Sequence, residues 1–199
     1  MFSETFPGRF EEIDRGVILD GAHNPDKIRF LIRLIKKTFD IKHLTFDKEK
    51  KKSMVNGQWS IVLILAFKKG KNWKEIIDIL MKNLPVKKVI ATKFWASTDM
   101  GKFQAVEPEE IAEYIRIKNY EIRIKDKENS QEAVFEAVSL APSTPGVKGA
   151  YTPGVSLSLI LVTGSLYLVG EVRTMWELPS FSGKAGFGGR AGILSIFAA

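Results

Sequence analysis

The sequence predicts an α/β protein whose mostly parallel sheet is covered by helices on both faces. Segments rich in apolar and β-branched residues alternate along the chain with segments that have the periodicity of amphipathic helices. Several of the apolar segments are continuous rather than alternating, which is typical of parallel strands buried on both faces. Because strands and helices follow each other in turn, helical crossovers between parallel strands are the expected connections.

The elements follow in order along the chain. Strands are predicted at Gly16–Asp20, Lys42–Asp47, Ser60–Phe67, Lys87–Phe94, Tyr120–Asp126 and Ser156–Gly164. Helices are predicted at Asn24–Phe39, Trp73–Leu84, Glu107–Asn119, Asn129–Ala141 and Leu166–Trp176. Pro25 suits a first helical turn, Pro85 ends the second helix, and Pro108 with its acidic neighbours suits the start of the third. The fifth predicted strand alternates polar and apolar residues, as an edge or half-exposed strand does.

One folded domain is predicted over residues 1–177. The chain has 199 residues, of which 45% are hydrophobic, and this is enough for one sizeable core. Residues 178–199 form a glycine-rich tail that we expect to be poorly ordered. The segment Ala141–Ser156 carries two Thr-Pro-Gly-Val-like steps and is predicted to be a flexible surface loop.

The composition favours a cytoplasmic protein without disulfides or a membrane anchor. The sequence contains no cysteine, and no apolar run approaches the ~20 residues that cross a bilayer. The N-terminal segment Met1–Glu12 is acidic and lacks the hydrophobic region of a secretory signal. We therefore expect no membrane partner.

The net charge of +7 does not by itself indicate a nucleic-acid partner. Much of the excess lies in the lysine-rich segments Asp47–Ser53 and Lys68–Lys74, which are typical of solvated faces. No nucleic-acid-binding motif accompanies them, so we do not expect nucleic acid as the main partner. Anionic small molecules such as ATP remain well suited to this surface.

Four loops are predicted at the edge of the sheet where ligands bind. In open α/β sheets, ligands bind beyond the carboxyl ends of the strands. The loops that follow predicted strands and share this edge are Asp20–Asn24, Lys68–Asn72, Lys93–Phe103 and Thr163–Ser165.

The first of these loops, Asp-Gly-Ala-His-Asn, admits two interpretations. Asp20 can bind a ribose hydroxyl or orient the water of a cation, and His23 can donate to a phosphate or carboxylate near a helix N-terminus. Alternatively, Asn24 caps the helix and Asp20 braces the turn. Ser165 likewise either contacts a ligand or serves as an ordinary N-cap. The residues alone leave these alternatives open, and they assign Arg9 only to the surface.

Several chemistries are excluded by the motifs. Two histidines without cysteine or a His-x-x-x-His pair give no zinc site, and we expect no resident metal site. None of the Gly-Lys pairs is followed by Ser or Thr, so there is no P-loop. A nominal dinucleotide fingerprint, Gly186-x-Gly188-x-x-Ala191, has no strand before it and no clear helix after it, and is rejected.

Three motifs, in order, carry a family resemblance. They are Pro-Gly-Arg-Phe-Glu at Pro7–Glu11, Asp-Gly-Ala-His-Asn-Pro at Asp20–Pro25 and Thr-Gly-Ser-Leu-Tyr at Thr163–Tyr167. Together they resemble the C-terminal domain of the folylpolyglutamate synthase/dihydrofolate synthase family, a branch of the Mur ligases. The similarity extends from about Pro7 to Met175 and implies that family's Rossmann-like, mostly parallel sheet.

The resemblance implies an ATP-dependent amide ligation in folate metabolism. ATP phosphorylates a substrate carboxylate, and the amine of glutamate attacks the acyl phosphate, with Mg²⁺ holding the phosphates. By this resemblance, Arg9 and Asp20 contact ATP. His23 and Asn24 lie at the junction between nucleotide and glutamate. His23 contacts both ligands there and is the catalytic residue. Ser165 helps to bind glutamate.

The sequence also departs from the family. The P-loop, the modified lysine and most Mg²⁺ ligands of the family belong to a larger N-terminal ATPase domain, which this sequence lacks. We therefore expect that domain as a partner in cis or in trans, with glutamate and a folate or pteroate as substrates, and no activity of this chain alone. The loop at Lys68–Asn72 lacks the acidic residues that relatives often have there. Alternatives are another Mur-type amino-acid ligase domain, or a non-catalytic nucleotide-binding or interaction module.

Overall fold

The computed structural model describes residues 6–14, 16–44, 60–98, 101–140 and 158–177, which adopt the predicted α/β architecture. The strands in these ranges are β1 (Glu11–Asp14), β2 (Val17–Leu19), β3 (Ser60–Leu65), β4 (Val86–Thr92), β5 (Ala96–Thr98), β6 (Gly101–Phe103), β7 (Arg123–Lys127) and β8 (Ser158–Thr163). The helices are α1 (Pro25–Leu44), α2 (Trp73–Asn83), α3 (Pro108–Ile117), α4 (Ser130–Leu140) and α5 (Leu166–Glu177).

The main sheet is mostly parallel and has the strand order β1-β2-β8-β3-β4-β7. Each neighbouring pair from β2 to β7 is parallel, and β1 runs antiparallel to β2 at the edge. In register, Leu19 pairs with Val162, which pairs with Ile64 on its other side. The carboxyl ends of the central strands are therefore level, and the loops that follow them share one edge.

Helices cover both faces of this sheet, as predicted. Along β3, Leu63 packs in a cluster with apolar residues of α1, α2 and α3. Its neighbour Ile64 packs in a second cluster with residues of α4 and α5. Alternate side chains of a strand point to opposite faces, so an uninterrupted apolar strand serves both clusters.

The structure corrects two predicted segments and adds a strand. The predicted strand at Lys42–Asp47 is wrong over Lys42–Leu44, which belong to α1; neither glycine nor proline interrupts the chain after Pro25 to end the helix. The predicted loop Lys93–Phe103 contains a hairpin in which β5 pairs with β6. The edge strand β1 was not predicted.

Several predicted features lie outside the described residues. These are the loop Ala141–Ser156, the tail at residues 178–199 and residues 45–47 of the predicted short strand. The extent of the predicted domain, 1–177, therefore stays a prediction. Within the described ranges, no helix is long and apolar enough to cross a membrane.

A charge network joins α4 to two strands of the sheet. The Glu136 carboxylate lies 2.8 Å from Lys88 Nζ and 2.6 Å from Lys125 Nζ. Hydrogen bonds from Lys125 and Lys88 outweigh the effect of burial and lower the pKa of Glu136 to about 2. Lys88 is buried, so the network satisfies a cation that has left water.

We expect Glu136→Gln to lower the free energy of unfolding at pH 7 by about 2–4 kcal/mol, because it leaves Lys88 buried without a full counter-charge. A carboxyl whose folded pKa is lowered stabilises the fold above its unfolded pKa, and that stabilisation is lost as the pH falls through the folded value. The difference between wild type and variant should therefore be constant near neutrality and shrink as the pH falls from about 4.5 toward 2.

Urea unfolding of both proteins at a series of pH values measures this. The control is Glu132→Gln on the same helix, because Glu132 is half-exposed and lies 4.0 Å from Lys127. We expect the control to change stability by less than about 1 kcal/mol. Equal losses in the two variants would show that the buried network contributes nothing specific.

Candidate functional site

Three loops at the carboxyl edge of the sheet are locked together by backbone hydrogen bonds. The corner after β2 donates its Gly21 N–H to the carbonyl of Gly8, in the turn before β1, at 2.8 Å. The carbonyl of Ala22 accepts the N–H of Gly164, in the turn after β8, at 3.0 Å. The structure thus brings together the three motif segments that carry Arg9, His23 and Ser165.

Asp20 occupies the centre of this arrangement. One oxygen of its carboxylate accepts the Phe10 N–H at 2.9 Å and the other accepts the Ala22 N–H at 2.8 Å. Burial raises the pKa of Asp20 despite these hydrogen bonds and the nearby charges of Arg9 and Lys27. The structure therefore supports the interpretation that Asp20 braces the turn.

His23 and Asn24 occupy the start of α1. The Asn24 side-chain oxygen accepts the Lys27 N–H at 2.9 Å, which makes Asn24 an N-cap. His23 Nδ1 lies 2.8 Å from the Gly21 carbonyl, which can only accept, so Nδ1 carries the proton. The neutral ring then offers Nε2 as an acceptor, and Lys27 Nζ lies 3.4 Å from it.

Lys27 is a residue of this site that the sequence interpretation did not single out. It lies in the first turn of α1, four residues after His23, and its Nζ is 3.4 Å from His23 Nε2. Both belong to the outer part of the site, since His23 is half-buried and Lys27 is exposed. The closeness of Lys27 to His23 in the sequence was the signal that could have identified it.

Arg9 is presented by a tight turn. Its N–H donates to the Phe6 carbonyl at 3.0 Å, and its side chain is exposed at the edge of the sheet. The turn packs directly on the Gly21 corner, so Arg9 belongs to the same site as Asp20. The residues alone assigned Arg9 only to the surface, and they could not show that it lies beside Asp20.

Ser165 is buried at the start of α5. Its hydroxyl oxygen accepts the Tyr167 N–H at 3.2 Å, as an N-cap does. The residue before it, Gly164, has a φ of +101°, and an added Cβ would lie 2.7 Å from the Ala66 carbonyl oxygen. Glycine is required here so that the β8–α5 turn can pack against the end of β3.

The two lysine-bearing loops at this edge lie farther along the sheet. The loop at Lys68–Asn72 is joined to residues 104–106, for example by the Lys69 N–H donating to the Gln104 carbonyl at 2.9 Å. Lys93 Nζ forms ion pairs with Glu128 at 2.6 Å and Glu107 at 3.3 Å. Hydrogen bonding to Glu128 is the main cause that raises the pKa of Lys93. Its charge is neutralised locally, which weakens the case for Lys93 as a phosphate ligand.

The site residues all lie inside a segment that matches a known family model. The model is described as the C-terminal domain of dihydrofolate synthetase, and it matches residues 9–175. The dihydrofolate synthetase of Saccharomyces cerevisiae is 27% identical over 167 residues, which cover 82% of this chain and 32% of that protein.

Solved structures share the fold. E. coli FolC in complex with ADP superposes with a TM-score of 0.59 at 16% identity, covering 92% of this chain and 34% of that one. Mycobacterium tuberculosis folylpolyglutamate synthase complexed with ADP and AMPPCP superposes with a TM-score of 0.58 at 20% identity, covering 88% and 33%. The chain spans about a third of the length of these relatives.

We expect Asp20→Ala to lower the free energy of unfolding by about 1–2 kcal/mol, since it leaves two backbone N–H groups without their acceptor. His23→Ala should cost less than about 1 kcal/mol, because its ring is half-buried and its hydrogen bond is local. Thermal and urea unfolding measure both. A loss for His23→Ala as large as that for Asp20→Ala would assign the ring a mainly structural role.

A second expectation concerns the turn after β8. Gly164→Ala should destabilise the fold by about 2–4 kcal/mol, because its φ and the Ala66 carbonyl both oppose a side chain. The matched control is Gly170→Ala in α5, where nothing lies within 4 Å of an added Cβ. That change should instead stabilise by about 0.5–1 kcal/mol through helix propensity. Similar effects at the two glycines would contradict the packing described for the turn.

Proposed function

The chain belongs to the family of dihydrofolate synthetase C-terminal domains, and from that premise we propose that it contributes nucleotide and glutamate contacts to an ATP-dependent folate ligase. One observation carries the proposal. The loops bearing Arg9, His23 and Ser165 are hydrogen-bonded to one another at a single edge of the sheet. Such an edge is where α/β sheets bind ligands.

The proposed reaction is formation of an amide bond through an acyl phosphate. A carboxylate oxygen of the pteroate or folate attacks the γ-phosphorus of ATP, and ADP leaves. The glutamate amine then attacks the acyl carbon, the C–N bond forms, and inorganic phosphate leaves. Catalysis of this kind depends on positioning and on stabilising negative charge.

The nucleotide side of the site is proposed at Arg9, Asp20 and Asn24. The exposed Arg9 guanidinium suits a phosphate, to which it can donate two parallel hydrogen bonds. Asp20 would order the corner and offer a ribose hydroxyl its remaining acceptor capacity. The α1 N-terminus that Asn24 caps adds a partial positive charge beside the phosphates. Relatives solved with ADP support a nucleotide as the ligand.

The glutamate side is proposed at His23 and Ser165. The unprotonated Nε2 of His23 suits acceptance of the proton that the attacking amine loses. Ser165 would assist through its hydroxyl and the start of α5, which favours a carboxylate. The side chain of Lys27 lies beside His23 and adds a positive charge that attracts both ATP and glutamate.

The Mg²⁺ that the family implies does not fit the residues of this domain. No group of three or more His, Cys, Asp or Glu side chains in the described ranges could hold a metal ion. We therefore assign Mg²⁺ to a partner, the N-terminal ATPase domain, and derive no step from it here.

The test is ligation by the chain combined with an N-terminal ATPase domain, in cis or in trans. We expect glutamate-dependent ADP release by the combination and none by the chain alone. Asp20→Ala and His23→Ala should each reduce kcat/KM at least tenfold, about 1.4 kcal/mol of transition-state stabilisation. Ser165→Ala should raise the KM for glutamate more than that for ATP.

The control is His43→Ala, which alters the chain's other histidine, near the opposite end of α1. It should leave ligation unchanged. A folded, fully active His23→Ala protein would refute the proposed catalytic role. Nucleotide binding without ligation in every combination would favour the alternative of a non-catalytic binding module.

A further inference from the structure

We propose that Glu11 and Arg173 are positioning residues for Arg9. Their ion pair would hold the turn at Phe6–Phe10 in its conformation, so that the Arg9 guanidinium is fixed at the edge of the sheet before a nucleotide binds. The inference rests on the proposed function in one respect, namely that a nucleotide is the ligand of Arg9.

The turn has a backbone conformation that its own sequence does not favour. Phe10 has a φ of +47°, in the left-handed region that bulky residues rarely adopt, and Gly8 has a φ of +71°. Such a conformation persists only where surrounding contacts determine it, and residues of this kind concentrate at functional sites. The turn therefore needs anchors outside itself.

Two anchors come from the corner after β2. Asp20 accepts the N–H of the strained Phe10, and the Gly21 N–H donates to the Gly8 carbonyl. These contacts tie the turn to the part of the site that carries His23.

The third anchor comes from Glu11 and extends to α5. One oxygen of its carboxylate accepts the Gly8 N–H at 2.7 Å, and the other accepts Arg173 Nε at 3.1 Å. The Glu11 side chain is 15% exposed and that of Arg173 is 38% exposed, so water screens this pair only in part. Arg173 thus orients a carboxylate that directly binds the turn, although it lies 164 residues from Arg9 in the sequence.

The geometry separates the group that would meet the ligand from the groups that would position it. Arg9 is exposed, whereas Glu11 and Gly8 are directed into contacts with the protein. Arg173 lies on the same helix whose N-terminus carries Ser165. The pair therefore links the proposed nucleotide contact to the helix that bears the proposed glutamate contact.

The experiment uses the full chain and compares Arg173→Gln with Arg116→Gln. Arg116 is the matched control, because it also forms a half-exposed ion pair, with Asp126 at 3.6 Å, on α3 away from the site. Hydrogen exchange of the Gly8 and Phe10 amides should be about tenfold faster in Arg173→Gln and unchanged in Arg116→Gln. Arg173→Lys, which keeps the cation, should restore part of the protection.

Calorimetric titration with ADP supplies the functional measurement. Arg9→Gln and Arg173→Gln should each weaken binding about fivefold, and the double variant should be no weaker than Arg9→Gln alone. That non-additivity is expected because Arg173 acts through Arg9, and a purely structural role would not produce it. Glu11→Gln retains an oxygen for the Gly8 N–H and should show the same weakened ADP binding and the same non-additivity with Arg9→Gln. It replaces Arg173→Gln in the experiment if that variant fails to fold.

The outcomes distinguish this inference from the proposed function. Unchanged amide exchange in Arg173→Gln and Glu11→Gln, or additive losses in the double variant, would overturn the positioning role while leaving the nucleotide contact intact. No ADP binding by the wild-type chain would count against the proposed nucleotide contact, and the positioning role would fall with it.

Discussion

The candidate site depends on the hydrogen bonds that the Gly21–Ala22 corner makes to its two neighbours. Gly21 donates to the turn before β1, and Ala22 accepts from the turn after β8. These are backbone contacts at the ends of paired strands, so they are fixed by the same register that aligns the sheet. Side chains with different chemistry are thereby held in one place without needing direct contacts to each other.

Close backbone approach requires a residue without a side chain at Gly164, in the turn that is hydrogen-bonded to this corner. An added Cβ at Gly164 would lie 2.7 Å from the Ala66 carbonyl oxygen, whereas one at Gly21 would clash only with the side chain of the exposed Leu166, which can move. Gly164 therefore has a packing role that is independent of any ligand. Because this turn is hydrogen-bonded to the corner, the two segments are held in a fixed relation to each other.

The pKa values of two partly buried carboxyls, Glu136 and Asp20, are shifted in opposite directions by the fold. Glu136 is paired with two lysines, which lower its pKa to about 2, and its ionised form stabilises the fold. Burial raises the pKa of Asp20, although its carboxylate accepts two backbone N–H groups and lies near Arg9 and Lys27. The same fold therefore favours the ionised form of one carboxyl and disfavours the ionised form of the other.

The local features of this protein were determined by its sequence. Apolar periodicity predicted each helix, most strands and the shared carboxyl edge, and Asn24 was identified as a candidate cap because capping depends on residues only three apart. The strand order, the position of β1 and the neutralisation of Lys93 by Glu107 and Glu128 were decided by tertiary structure. Tertiary structure also decided the contact between Glu11 and Arg173, which lie 162 residues apart in the sequence. Local propensity follows from neighbouring residues, whereas these contacts exist only after the strands have assembled and brought distant segments together.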